Sequence, residues 1–168
     1  MNSLMIRPAT IKDIPSIVRI RLAALTKEEI RGFSTPDFAF TSATEKLQKV
    51  WGRGNRLKDG FDVFLVEDGG RPIGYMMFKV EGNSGFIDDI VIAKEERRKG
   101  IGRALVSYAE AIAKSAGCSF MKTDTTENAE GIPWRSYGFW TRLGYEDTGE
   151  RLPTAYDFKE IPFIKRLK

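Results

Sequence analysis

The chain has 168 residues, 42% hydrophobic and 30% charged, with 27 Lys and Arg against 23 Asp and Glu, a formal net charge of +4 and a pI of about 9.2. That length fits one domain, residues 1–168, able to bury a core without covalent staples. The chain contains no histidine and one cysteine, which excludes a Ser-His-Asp triad, a Cys-His dyad, a His-ligated zinc site and an intramolecular disulfide.

The N-terminus, Met1 to Pro8, lacks the apolar run of a signal peptide, and no segment approaches the roughly 20 apolar residues that span a bilayer. A cytoplasmic protein with no membrane partner is expected. Leu4 to Arg7 predicts a short strand ended by Pro8. Thr10 then stands as an N-cap before Ile11, Ile14, Ile17, Val18, Leu22 and Leu25, an apolar stripe at helical spacing with Asp13 in the first turn.

From Thr26 to Gly60 the periodicity weakens. Gly32 to Pro36 reads as a loop, Thr44 to Trp51 as a short helix, and Gly52 to Asn55 as a further break. The aromatics Phe33, Phe38, Phe40 and Trp51 either pack this helix down or line a pocket, and packing is favoured. Phe61 to Glu67 and Ile73 to Val80 read as strands joined by the tight-turn signal Asp68-Gly69-Gly70-Arg71. Gly82 to Gly85 turns the chain into a third strand, Phe86 to Ile92, completing an antiparallel meander.

That strand feeds Arg97-Arg98-Lys99-Gly100-Ile101-Gly102-Arg103 and then a helix carrying Ile101, Leu105, Tyr108 and Ile112 at spacings of three or four. Glycines let backbone approach a ligand, and the free amides and dipole of a helix N-terminus favour negative charge. Between Lys94 and Arg103 five basic residues face Glu95 and Glu96, so this short stretch supplies +3. A small phosphorylated ligand accounts for the net charge better than nucleic acid, because no aromatic-and-basic recognition motif accompanies the loop. Leu105 stands where a dinucleotide fold wants a third glycine, and the Gly-Lys-Ser/Thr of a P-loop is missing.

The helix ends near Ala116, with Gly117 at its C-terminal turn. Cys118 to Thr125 is a further strand in which Cys118 reads as a buried thiol rather than a nucleophile. A strand, a helix and a strand in succession imply a parallel crossover, with the glycine loop at the carboxyl end of the first strand, where open α/β sheets take ligands. After Asn128, Gly131-Ile132-Pro133 starts a helix carrying Tyr137, Trp140 and Leu143 and ended by Gly144. Tyr145 to Lys168 is strand-like, with breaks at Pro153 and Pro162.

These residues resemble the GNAT superfamily of acetyl-CoA-dependent N-acetyltransferases. Its signature of Gln or Arg, two residues, Gly, one residue and Gly or Ala is here Arg97, Gly100 and Gly102. Ile90-Val91-Ile92, Ile73-Gly74, Asn128 and the stretch Phe139 to Tyr145 support it, and the order of elements fits nearly the whole chain. The resemblance implies a single α/β (α+β) domain with a mixed, mainly antiparallel twisted sheet flanked by helices, its strands splayed at the cofactor site.

It further implies that the amides of Arg98, Lys99, Gly100, Ile101, Gly102 and Arg103 bind the CoA pyrophosphate, with the pantetheine arm along Ile90, Val91 and Ile92 and Asn128 on its far side. No metal is expected. The partner would be a small-molecule or peptide amine attacking the thioester directly. An amide near Val91 or Ile92 would stabilise the oxyanion, and Asp88 or Asp89 would take the amine proton. Adjacent strand residues face opposite ways, so only one of the two aspartates looks into the cleft. The family's usual acid is a Tyr where this chain has Trp140, which has no titratable proton. Tyr137, one turn earlier, is the nearest substitute. The departure leaves a catalytically impaired CoA-binding regulatory module as the alternative, and the sequence leaves homodimer formation open.

Overall fold

The computed structural model of the chain describes residues 3–25 and 36–168. Among these residues run eight strands: β1 (Leu4–Pro8), β2 (Asp62–Asp68), β3 (Arg71–Glu81), β4 (Ser84–Ile92), β5 (Phe120–Glu127), β6 (Glu146–Asp147), β7 (Leu152–Pro153) and β8 (Lys159–Arg166). Four α-helices accompany them: α1 (Ile14–Ala24), α2 (Pro36–Val50), α3 (Ile101–Ser115) and α4 (Ser136–Arg142). The strands form one mostly antiparallel sheet in the order β1-β2-β3-β4-β5-β8-β6, with β7 also on β8, so the expected mixed α/β architecture is present. Two compact units divide the chain, Met1–Phe78 with Asp89–Leu105 and Lys79–Asp88 with Val106–Lys168, and β3, β4 and α3 each run through the boundary.

In the first unit, β1 pairs antiparallel with β2 and β2 with β3, placing Leu65 opposite Tyr75 and Val63 opposite Met77. The β2–β3 turn has φ +57° at Gly69 and +80° at Gly70, the two left-handed positions that a tight hairpin loop demands. Thr10 leads into a 3-10 turn, Ile11–Asp13, before α1 begins. The Asp13 carboxylate accepts from the Thr10 backbone N–H (2.7 Å) and hydroxyl (3.2 Å) and from the Arg7 guanidinium, which holds its carboxyl below the usual range. Ile14, Ile17 and Val18 of α1 bury against Val63, Leu65, Tyr75 and Met77.

The second helix differs from expectation, beginning at Pro36, eight residues before Thr44. A proline read as the end of a loop instead occupies the first turn, where its missing N–H costs nothing. Trp51 is buried and Phe40 packs on the same core, as the packing reading anticipated. The expected loop over Gly32 to Thr35 and the ring of Phe33 lie outside the described residues, as does the side chain of Phe38.

In the second unit, β4 and β5 pair in parallel through three positions only, Ser84 with Phe120, Gly85 with Met121 and Phe86 with Lys122. The carbonyl of Ile87 instead accepts the Thr123 hydroxyl at 3.0 Å. β5 then pairs antiparallel with β8 over its whole length, Phe120 opposite Arg166 through Glu127 opposite Lys159. The expected break at Pro162 does not occur. Its carbonyl accepts the Thr148 N–H at 3.0 Å, and a residue's N–H and C=O point the same way in a strand. The donor that proline lacks therefore faces the side where β6 ends at Asp147, and the ladder to β5 loses no bond. On α3 the buried positions are Ile101, Leu105, Val106, Ala109 and Ala113. Tyr108 and Ile112, expected on the apolar stripe, are half-buried.

Candidate active site

β4 ends where the Ala93 N–H bonds the Ile73 carbonyl (2.8 Å), and a 3-10 turn over Lys94–Glu96 reverses the chain. Arg98 then adopts φ +65° and Gly100 φ +81°. A left-handed arginine is unusual and a left-handed glycine is not, so the turn is tight at both positions. The first intrahelical bond of α3 joins the Ala104 N–H to the Gly100 carbonyl at 3.0 Å. The amides of Ile101, Gly102 and Arg103 therefore have no acceptor within the helix, and free amides at a helix N-terminus favour negative charge.

The side chains are disposed differently from a simple charge count. Arg97 folds back so that its Nε donates to the Ile92 carbonyl at 3.1 Å. Lys99 Nζ lies 2.8 Å from Glu96 Oε2, and Arg71 Nη2 lies 2.7 Å from Glu96 Oε1. Those two cations, Lys99 first, hold the Glu96 carboxyl below its ordinary range. Two of the five basic side chains thus brace the loop from within. Arg98 and Arg103 form no side-chain ion pair among the described residues and join the amides in attracting an anion.

Gly74 of β3 keeps the strand below the loop close. A Cβ there would lie 2.9 Å from the Val91 carbonyl oxygen, 2.9 Å from Val66 Cγ1 and 2.7 Å from Ile92 Cδ1. Only glycine lets β3 approach Val91 and Ile92 so nearly. Ile90, Val91 and Ile92 are half-buried and lie beyond the three-residue ladder to β5.

The two aspartates of β4 part company. Asp89 Oδ2 accepts from the buried Tyr75 hydroxyl at 2.8 Å and from Arg21 Nη1 of α1 at 2.6 Å, all within the first unit. Asp88 is exposed, belongs to the second unit, and interacts electrostatically with Asp124 of β5. Asp124 lines a cleft of about 520 Å³ with Phe86, Lys122, Glu150, Glu160 and Phe163. Burial, with Glu160 and Asp88 nearby, pushes its carboxyl up to about 6. Sequence reading missed Asp124, Tyr75 and Arg21. Nothing in a linear pattern distinguishes a carboxylate turned into a cleft beside other carboxylates from a solvated one.

The remaining predicted residues lie in the second unit. Asn128 Oδ1 accepts from the backbone N–H groups of Glu130 (3.1 Å) and Ile132 (2.9 Å), so its carbonyl end shapes its own loop. The amide end donates to nothing among the described residues. The Tyr137 hydroxyl donates to Asp147 Oδ2 at 3.1 Å, and that bond raises the phenol above its ordinary range. Arg151 grips Asp147 with two bonds of 2.9 Å and holds its carboxyl down to about 2. Trp140 is buried, its ring 5.1 Å from that of Tyr145, and serves as core.

A strand meander, a braced glycine loop at a helix N-terminus and a parallel crossover make up the architecture of an acyltransferase domain. Residues 23–145 match the model of the Acetyltransferase (GNAT) family, and the chain belongs to that family. The Bacillus subtilis (strain 168) protein named "Putative acetyltransferase BSU40680" is 30% identical over 79 residues, 47% of this chain; the match spans about half of that relative, 49% of its length. The PaiA N-acetyltransferase of Thermoplasma acidophilum, in complex with coenzyme A, superposes with a TM-score of 0.67 at 17% identity, covering 98% of this chain and 99% of that one. The ribosomal-protein-S18-alanine N-acetyltransferase of Escherichia coli gives 0.67 at 15% identity, covering 98% and 94%. At these identities the likeness is one of fold. Among the described residues, no helix is long and apolar enough to cross a membrane.

Proposed function

We propose that the chain acts as one catalytic domain in the cytoplasm, an N-acetyltransferase moving the acetyl group of acetyl-CoA to a primary amine of a small molecule or peptide. The observation that carries this reading is the set of unpaired amides at Ile101, Gly102 and Arg103, presented by a left-handed Gly100 beside Arg98 and Arg103. A diphosphate is the ligand such a nest suits. The coenzyme A complex of the structural neighbour supports the same donor.

In this reading residues 98 to 103 hold the pyrophosphate, and Ile90, Val91 and Ile92 flank the pantetheine arm with Asn128 beyond it. An amide at Val91 or Ile92 polarises the thioester carbonyl, and Asp88 or Asp89 receives the acceptor's proton. Tyr137 returns a proton to the sulfur after leaving Asp147. The chain's largest contribution is positioning, since amine and thioester react directly once aligned. Acetyl-CoA titrated calorimetrically, followed by thiol release with DTNB across polyamines, amino acids, aminoglycosides and peptide N-termini, tests the proposal. Saturable donor binding with amine-dependent thiol release is expected. Donor binding with no release on any amine refutes the transferase reading, and absent binding refutes the donor assignment.

A further inference from the structure

Resting on that reading, we infer that Asp89 is the aspartate that meets the acceptor nitrogen and that Tyr75 and Arg21 are its positioning residues, fixing one carboxylate oxygen so that the other stays open. Both donors converge on the same atom. Tyr75 Oη lies 2.8 Å and Arg21 Nη1 2.6 Å from Oδ2, whereas Oδ1 accepts nothing among the described residues. The donors come from different elements, β3 and α1, so the carboxylate plane is triangulated rather than tethered by one flexible contact.

Burial argues that this is more than a surface ion pair. Tyr75 is fully buried within the first unit's core, and the Asp89 side chain retains 24% exposure. The phenol is held rigidly by packing while its partner keeps an open edge. Burial first, then the neighbouring Asp89 charge, pushes the Tyr75 hydroxyl well above its ordinary range, so it stays a donor throughout any working pH. Among the described residues, the charged and titratable groups bonded to Asp89 are Tyr75 from β3 and Arg21 from α1. Asp88, on the opposite face, bears electrostatically on another carboxylate, Asp124.

The chemistry balances with the acceptor entering as an ammonium. One N–H bond breaks as a proton passes to Oδ1, freeing the lone pair that attacks the thioester carbon. The C–S bond breaks with its electron pair on sulfur, and the nitrogen sheds a second proton. One of the two protons reaches the thiolate, so each turnover releases one to solvent.

The test is steady-state acetylation, with donor affinity measured in parallel by calorimetry, on Tyr75→Phe, Arg21→Ala, Arg21→Lys, Asp89→Asn and the double variant Tyr75→Phe/Asp89→Asn. Tyr75→Phe and Arg21→Ala are expected to lower kcat about tenfold or more, with acetyl-CoA affinity within about twofold of the parent. Arg21→Lys should recover part of the Arg21→Ala loss, and the double variant should be no slower than Asp89→Asn alone. Should Tyr75→Phe fail to fold, Arg21→Ala reads the same positioning from a side chain that is 53% exposed. Parent-like kcat in Tyr75→Phe and Arg21→Ala overturns the inference while leaving the transferase reading intact. So does full activity in Asp89→Asn. A parent protein that releases no thiol on any amine overturns both.

Discussion

Replacing Asp124 with Asn should stabilise the protein, and only at neutral and alkaline pH. Asp124 sits in the second unit's cleft, where burial together with the Glu160 and Asp88 charges moves its carboxyl from 3.8 to about 6. At 1.36 kcal/mol per decade, that displacement corresponds to roughly 3 kcal/mol for a fully enclosed group. Asp124 keeps a solvent-facing side, and screening reduces the figure to on the order of 1–1.5 kcal/mol. The sign follows from linkage. Above about pH 6 both folded and unfolded chains carry the ionised group, and only the folded chain pays for desolvating and crowding it. As pH falls from about 6 toward 3.8, the folded state binds the proton first and the penalty disappears. Asn never ionises. Urea denaturation at pH 8 and pH 4 should therefore show Asp124→Asn more stable by about 1 kcal/mol at the higher pH and level with the parent at the lower. Equal destabilisation at both would refute the reasoning, since it would mean that the carboxylate is held by favourable contacts.

Gly100→Glu should abolish acetyl-CoA binding in calorimetry with the circular dichroism spectrum unchanged, because space beside Gly100 is open and the harm lies in φ and charge. Unaltered affinity would sink the donor assignment. Gly74→Ala should cost about 1–3 kcal/mol in denaturation and weaken donor affinity, since its Cβ meets the Val91 carbonyl, which cannot yield without moving β4. Tyr137→Phe separates two roles: a proton donor to sulfur predicts a kcat lower by about 100-fold or more, whereas a mere anchor for Asp147 predicts a change within a few-fold. Leu105→Ala, at a fully buried position of α3, should lower stability by about 2–5 kcal/mol in urea melts.

Much of the glycine loop and its surroundings was legible in one dimension. The hairpin at Gly69-Gly70, the loop through Gly100 and the helix from Ile101 rest on local signals, namely glycines where φ turns positive and apolar residues at one period, and those signals act over a few residues. Elements whose boundaries depend on distant neighbours were misread. Pro36 opens α2 and Pro162 passes through β8 because what proline does depends on whether a bond partner exists on its N–H side, and for Pro162 that is settled by where β6 stops.

The two aspartates of β4 show the same division more sharply. Adjacent aspartates on a strand must face opposite ways, and periodicity alone says so. It cannot say that Asp89 bonds Tyr75 and Arg21 while Asp88 adds its charge to the surroundings of Asp124. Likewise, a count of charges over Lys94 to Arg103 shows a basic loop, yet only the folded chain turns Arg97 onto Ile92 and Lys99 onto Glu96. The sequence by itself determined the order of elements, the missing histidine chemistry and the glycine turn at the helix N-terminus, because propensity and dihedral sterics are local. Tertiary structure decided where the side chains of that turn go and which carboxylates are paired, because desolvation and hydrogen bonding depend on residues 14, 36 and 68 positions away.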